Sequence, residues 1–192
     1  MFWLTAMRSV SAFKSRKPGA LRLLKGKINV CFQEAVMKKV TFLPLPSDHV
    51  KALRSGGRDA YGCLPERTIS DGKGNPCRHC PGLIPKGAGM LILACRPFDE
   101  LQPHAETGPI FLCADECQPW AGDGLPPMLE SPDYLLKGYT ADQRIRYGTG
   151  KIVAKDEISS CAAELLACDD ISFVDVRSAR NNCFQTRIVR AS

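Results

Sequence analysis

A chain of 192 residues, 44% hydrophobic and 24% charged, is long enough to bury one substantial core and too short for two domains of ordinary size. Its formal charge of +6 sits at one end: residues 1–36 carry seven Lys/Arg against Glu34 alone, leaving 19 of the 26 basic and 19 of the 20 acidic residues from Met37 onward. The body is therefore neutral and gives no ground for nucleic-acid binding, and no apolar run approaches membrane-spanning length.

The first 36 residues are basic, contain Ser and hold scattered leucines, which is the composition of an organellar transit peptide. Met37-Lys38-Lys39-Val40-Thr41-Phe42, however, reads as an ordinary start feeding a strand. The expectation is that 1–36 is a disordered extension or start-site artefact and that 37–192 forms a single domain. Arg8 comes too early for a secretory h-region of roughly 7–15 apolar residues. A cytoplasmic location with reduced thiols follows, several of the ten cysteines being core residues.

Val40 to Leu45 reads as a strand closed by Pro44 and Pro46. Ser47 is placed to cap a short helix with Val50 and Leu53 inward and Gly56-Gly57 as its stop. From Arg58 to Gly89 the chain is rich in Gly and Pro without clear periodicity, as in loops that are functional or tied down. Met90 to Cys95 and Pro109 to Ala114 are continuous apolar runs, expected as central strands of one hairpin, joined by Arg96 to Gly108. After a second Pro/Gly loop, with Trp120 and Leu125 to Leu129 expected on the core surface, strands are predicted at Tyr134–Thr140 and Gln143–Tyr147.

Gly148-Thr149-Gly150 turns into Lys151 to Ala154. Ile158, Cys161, Ala162, Leu165 and Leu166 then follow the i, i+3, i+4, i+7, i+8 pattern of a helix over about Asp156 to Cys168. Ile171 to Arg177 and Cys183 to Val189 form a last hairpin. The fold class is α+β: a single domain, mostly antiparallel or mixed β-sheet, with one principal amphipathic helix packed on it.

Three constellations carry chemistry. Cys77-x2-Cys80 and Cys113-x3-Cys117 supply four thiols at spacings that suit tetrahedral zinc, and an antiparallel hairpin would bring Cys113 beside the loop holding Cys77 and Cys80. A thioredoxin-type dithiol fits less well, because Pro76 and Pro81 bracket a loop rather than a helix N-terminus. Arg78, Arg96, Arg144 and Arg177, with the Gly148-Thr149-Gly150 turn, are candidates for a small-anion site, arginine forks and Gly-rich turns both suiting carboxylate or phosphate. His104 and Glu106, two apart, are candidates for a base and its orienter; Cys183 is a candidate nucleophile with no histidine near it in sequence.

Taken in order, Pro76-Cys77-Arg78-His79-Cys80, Arg96-Pro97-Phe98, Glu106-Thr107-Gly108-Pro109-Ile110-Phe111, Tyr147-Gly148-Thr149-Gly150, Val176-Arg177-Ser178-Ala179 and Asn182-Cys183-Phe184-Gln185 form a pattern. The chain resembles, from about Met37 on, the bacterial family termed domain of unknown function 1203. That resemblance implies a bacterial origin and a set of marked positions, and no reaction. Where the pattern would carry Tyr and His, this chain has His104 and Cys113; a His-to-Cys exchange at 113 keeps a zinc ligand. Two functions stay open: a protein binding or acting on a small anionic ligand through an arginine-lined pocket, with Arg78, Arg96, His104, Glu106, Arg177 and Cys183 as catalytic candidates, or a non-catalytic zinc-stabilised binding module.

Overall fold

The structure is a computed structural model that describes residues 39–191; the readings placed on 1–36 and on Met37 lie outside the described residues. In chain order the elements are β1 (Val40–Leu43), α1 (Ser47–Arg54), β2 (Glu66–Ile69), β3 (Gly89–Cys95), β4 (Gly108–Cys113), β5 (Asp133–Tyr139), β6 (Lys151–Ala154), α2 (Ile158–Leu166), β7 (Phe173–Ser178) and β8 (Phe184–Arg190). They form a five-stranded sheet, β1-β8-β7-β5-β6, and a three-stranded sheet, β2-β3-β4, with every strand pair antiparallel. The α+β class holds.

Alternation along the strands decides what each face of the larger sheet meets. Tyr134 and Leu136 of β5, Val174 and Val176 of β7 and Ile188 of β8 share one buried face, and α2 covers it with Ile158, Cys161, Ala162, Leu165 and Leu166. A 3-10 turn at Lys155–Glu157 leads into that helix. Lys137, Tyr139, Phe173, Asp175, Arg177 and Arg187 fall on the opposite face by the same parity and register. A register shift between Val176 and Arg177 then inserts one residue in β8, so Phe184 leaves the helix-side pattern and joins the second core. There it meets Leu91, Leu93, Cys95, Ile110 and Leu112 of the smaller sheet and Val50 and Leu53 of α1.

Five features differ from the sequence expectation. β3 is central, but β4 is the outer strand of its sheet. Its free edge is covered by the cysteine loop, Cys77 bridging to Phe111 and the Arg78 amide donating to the Phe111 carbonyl at 3.2 Å. Gln143–Tyr147 is not a strand. Its pairing with the end of β5 is limited to one bridge, Tyr139 to Ile145, and the Gly138 amide donates instead to the Thr149 hydroxyl. β2 was hidden in the Gly/Pro stretch because all four of its side chains are exposed and show no apolar pattern. Ser47 opens α1 behind Pro46 but does not cap it; its hydroxyl pairs with His79. The Leu125–Leu129 stretch goes deeper than the surface, with Met128 and Leu129 in the main core.

Candidate functional site

Three segments bring the four thiols together. The 77–80 turn is tied back on itself by the Cys77 amide donating to the Gly82 carbonyl at 2.9 Å. Cys113 ends β4 directly opposite Met90, and Cys117 follows one turn later. The four Sγ atoms of Cys77, Cys80, Cys113 and Cys117 lie within 4.8 Å of one another, with Cys77–Cys117 at 4.0 Å and Cys80–Cys113 at 3.9 Å. Zinc–sulfur bonds of about 2.3 Å in tetrahedral geometry set the sulfurs about 3.8 Å apart, so this cluster needs only slight contraction to close on zinc. None of the four is in a disulfide.

Four thiolates around a divalent cation carry a net charge of −2, which requires donors around the sulfurs. Arg54, from the last turn of α1, gives Nη2 to Cys117 Sγ at 3.0 Å and Nε to the Cys113 carbonyl at 3.0 Å. The Cys113 amide donates to Cys77 Sγ at 3.4 Å. His79 Nδ1 lies 3.2 Å from Cys117 Sγ and its Nε2 lies 2.9 Å from the Ser47 hydroxyl. Burial and the Arg54 cation hold His79 below the ordinary imidazole range, so it is neutral. A neutral ring facing a thiolate donates from Nδ1 and accepts at Nε2 from Ser47, which accounts for both contacts.

Without a metal the cluster cannot ionise fully. Hydrogen bonds from Cys113 and Cys80 depress the Cys77 thiol, while those same contacts raise Cys113, and burial pushes Cys117 up to about 11. One thiolate is favoured at Cys77 while Cys113 and Cys117 stay protonated, the arrangement that a divalent cation displaces when it binds.

The arginine candidates separate. Arg78 is buried and spends Nε on the Phe184 carbonyl at 2.8 Å and Nη1 on the Pro76 carbonyl, clamping the cysteine loop to β8; burial pushes it down to about 10. Arg144 is exposed and pairs with Asp142 at 3.4 Å, and Thr149 braces Gly138 and Arg146 while Gly148 and Gly150 shape the exposed turn. Among the described residues no hydrogen bond or ion pair joins these residues to Arg78, Arg96 or Arg177. Arg96 follows β3, half-buried, with its Nε buried and without a hydrogen-bond partner.

Arg177 meets Glu106. The β3–β4 loop lays Glu106 on the charged face of the larger sheet, where Oε1 accepts from Lys137 Nζ at 2.7 Å and Asn182 Nδ2 at 3.2 Å. Oε2 accepts from the Tyr139 hydroxyl at 2.6 Å, and Arg177 Nη1 stands 3.5 Å away. His104 is not one of these partners: its Nδ1 accepts from the Ile145 amide at 3.1 Å, so the 104/106 pair does not work as one unit. Cys183 points at its own loop, 3.6 Å from the Asn181 carbonyl.

Burial raises the Glu106 pKa, but the hydrogen bonds from Lys137 and Tyr139 and the Arg177 charge outweigh it and leave it lowered. A carboxyl depressed in the folded state stabilises the fold above its unfolded value of about 4.3 and loses that contribution as pH falls through its folded value. Glu106→Gln should therefore be less stable than the parent at pH 7, with the gap closing as pH drops through the carboxylate range. Urea melts at pH 7, 5 and 3 measure this, and a gap independent of pH would refute the charge account.

Sequence reasoning passed over the pair beside this cluster. Asp175, fully buried in β7, accepts from Arg187 Nε at 2.8 Å and Nη2 at 3.1 Å, opposite each other in register. The Arg187 guanidinium lies 3.6 Å from the Phe173 ring centroid and 5.4 Å from that of Phe98. The available signal was an Asp inside the otherwise buried run Phe173–Val176, which demands a cation within reach.

A family model described as protein of unknown function (DUF1203) matches residues 74–190. The chain belongs to the DUF1203 family. The DUF1203 match takes in all four cysteines and the Glu106, Arg177 and Asn182 cluster, and it leaves Arg54 and Ser47 in the preceding segment. No curated protein and no solved structure matches the chain. No helix among the described residues is long and apolar enough to cross a membrane.

Proposed function

We propose that this DUF1203 protein is a zinc-stabilised binding module whose four-cysteine centre is structural. The observation that carries the reading is the set of four Sγ atoms within 4.8 Å of one another, drawn from three separate segments. Thiolate-only donor sets suit zinc, and a centre with four protein ligands leaves no open position for a substrate or an activated water. Cys77, Cys80, Cys113 and Cys117 hold the metal, while the Arg54 cation and the neutral His79 ring donate to Cys117 and relieve the excess negative charge of the thiolates. The centre fastens a Gly/Pro-rich loop to the free edge of β4 and, through the Arg78 bond to the Phe184 carbonyl, to β8.

Metal analysis of the full chain, purified without chelator, should find about one zinc per molecule, in keeping with a single tetrathiolate site. Four thiols should be shielded from a disulfide reagent until a chelator is added. Cys80→Ser should lower the bound zinc and expose the remaining three. Purified protein with no metal and freely reacting Cys77 and Cys80 would remove the reading.

A further inference from the structure

A second feature lies outside the metal centre. A cavity of about 340 Å³ opens between the β1–α1 turn, the segment after β3 and strand β8. Its walls are mostly apolar, with Pro44, Leu45, Phe98 and Phe184 among them, and its polar lining includes Arg96 and Arg187. This size falls at the small end of the range of about 300–1,000 Å³ seen for ligand pockets, which combine apolar walls with a few placed polar groups.

Charge bookkeeping around the cavity does not close. Arg187 is neutralised by Asp175, and Lys137 and Arg177 share Glu106. Arg96 has no ion pair among the described residues, and its buried Nε has no hydrogen-bond partner. The acidic residue on the lining, Asp99, accepts at one carboxylate oxygen from Gln143 Nε2 at 2.5 Å, and its backbone amide donates to Gln143 Oε1 at 2.9 Å. A half-buried guanidinium with no ion-pair partner among the described residues, at the wall of an apolar cavity, has the chemistry to receive a carboxylate.

We infer that this cavity binds a small carboxylate with an apolar, ring-sized body, the carboxylate received by Arg96 beside Arg187 and the body packed between Phe98 and Phe184. Arg187 is positioned for this role by its bidentate bond to Asp175 and by the Phe98 and Phe173 rings. The inference goes beyond the zinc reading and does not depend on it, so zinc content is measured in the sample used for binding and the two can fail separately.

The test is calorimetric titration of the full chain with phenylacetate, with phenylacetamide as the uncharged isostere and inorganic phosphate as the anion without an apolar body. Phenylacetate should bind saturably, and the amide and phosphate should each be at least about tenfold weaker, the scale of one charge-assisted hydrogen bond. Arg96→Gln should weaken phenylacetate by about tenfold or more. Asp99→Asn keeps an oxygen for Gln143 while removing a like charge from the lining, and should tighten phenylacetate severalfold; it serves as the decisive variant should Arg96→Gln fail to fold. No saturable phenylacetate binding, equal affinity for the amide, phosphate as the tighter ligand, or affinity unmoved by both variants would each overturn the inference.

Discussion

Stripping the proposed zinc from the four-cysteine centre with a strong chelator should lower the midpoint of thermal unfolding by about 10–20 °C, the shift expected for a loss of roughly 5 kcal/mol in a domain of this size. In zinc-finger peptides the metal supplies about 10–16 kcal/mol and is the main source of folding energy. Here the metal would be one contribution among several, because α2 and the five-stranded sheet bury a core in which none of the four cysteines takes part. The second core is different: Cys77 belongs to it, and Cys80, Cys113 and Cys117 pack against it. Loss of the metal leaves crowded thiols that cannot all ionise, and it frees the loop that covers β4. The melt should also become broader, since the metal-dependent half loosens before the helix-covered sheet. Differential scanning calorimetry with and without chelator reads both effects. A midpoint that does not move, in a sample shown to have lost its zinc, would mean that the centre contributes nothing to the fold.

How much of this was legible beforehand depended on whether a feature was local or required register. The helix over Ile158–Leu166 announced itself through its own spacing, and the β3–β4 hairpin through two apolar runs. Once that hairpin is drawn, Cys113 falls opposite Met90 and the entering loop brings Cys77 and Cys80 to the same edge, so the cysteine cluster follows from sequence and one pairing. Glu106 was also visible, but its company was not. Its donors Lys137, Tyr139, Arg177 and Asn182 come from two strands and a turn, and which of them meet is fixed by strand order and by the one-residue shift in β8. The expected partner, His104, is only two residues away and still turns elsewhere, because the Ile145 amide claims its ring nitrogen. β2 was missed for the opposite reason: an outer strand with four exposed side chains leaves no hydrophobic trace, and its pairing is carried by backbone alone.

Arg187→Met costs about 3–5 kcal/mol of folding stability, the usual penalty for leaving one member of a buried ion pair without its partner. Asp175 has no solvent exposure, and both of its oxygens are served by Arg187. Burial already raises its pKa despite that pairing, so with Arg187 gone the carboxyl must either stay charged against a low dielectric or take up a proton. The guanidinium also donates to the Pro97 carbonyl and lies over the Phe173 ring, which couples β8 to the segment that carries Arg96 and Phe98. Methionine keeps much of the volume and the contact with the rings, so the loss reports charge more than packing. The double variant Arg187→Met/Asp175→Leu separates the two, because replacing a buried pair with apolar side chains is often neutral or stabilising. It should recover more than half of the single variant's loss in urea melts. A single variant that loses under about 1 kcal/mol, well short of the buried-pair penalty, would show that Asp175 finds another cation, with Arg177 the nearest candidate by charge. A double variant as unstable as the single would show instead that the Pro97 bond and ring contacts, rather than charge compensation, hold this face together.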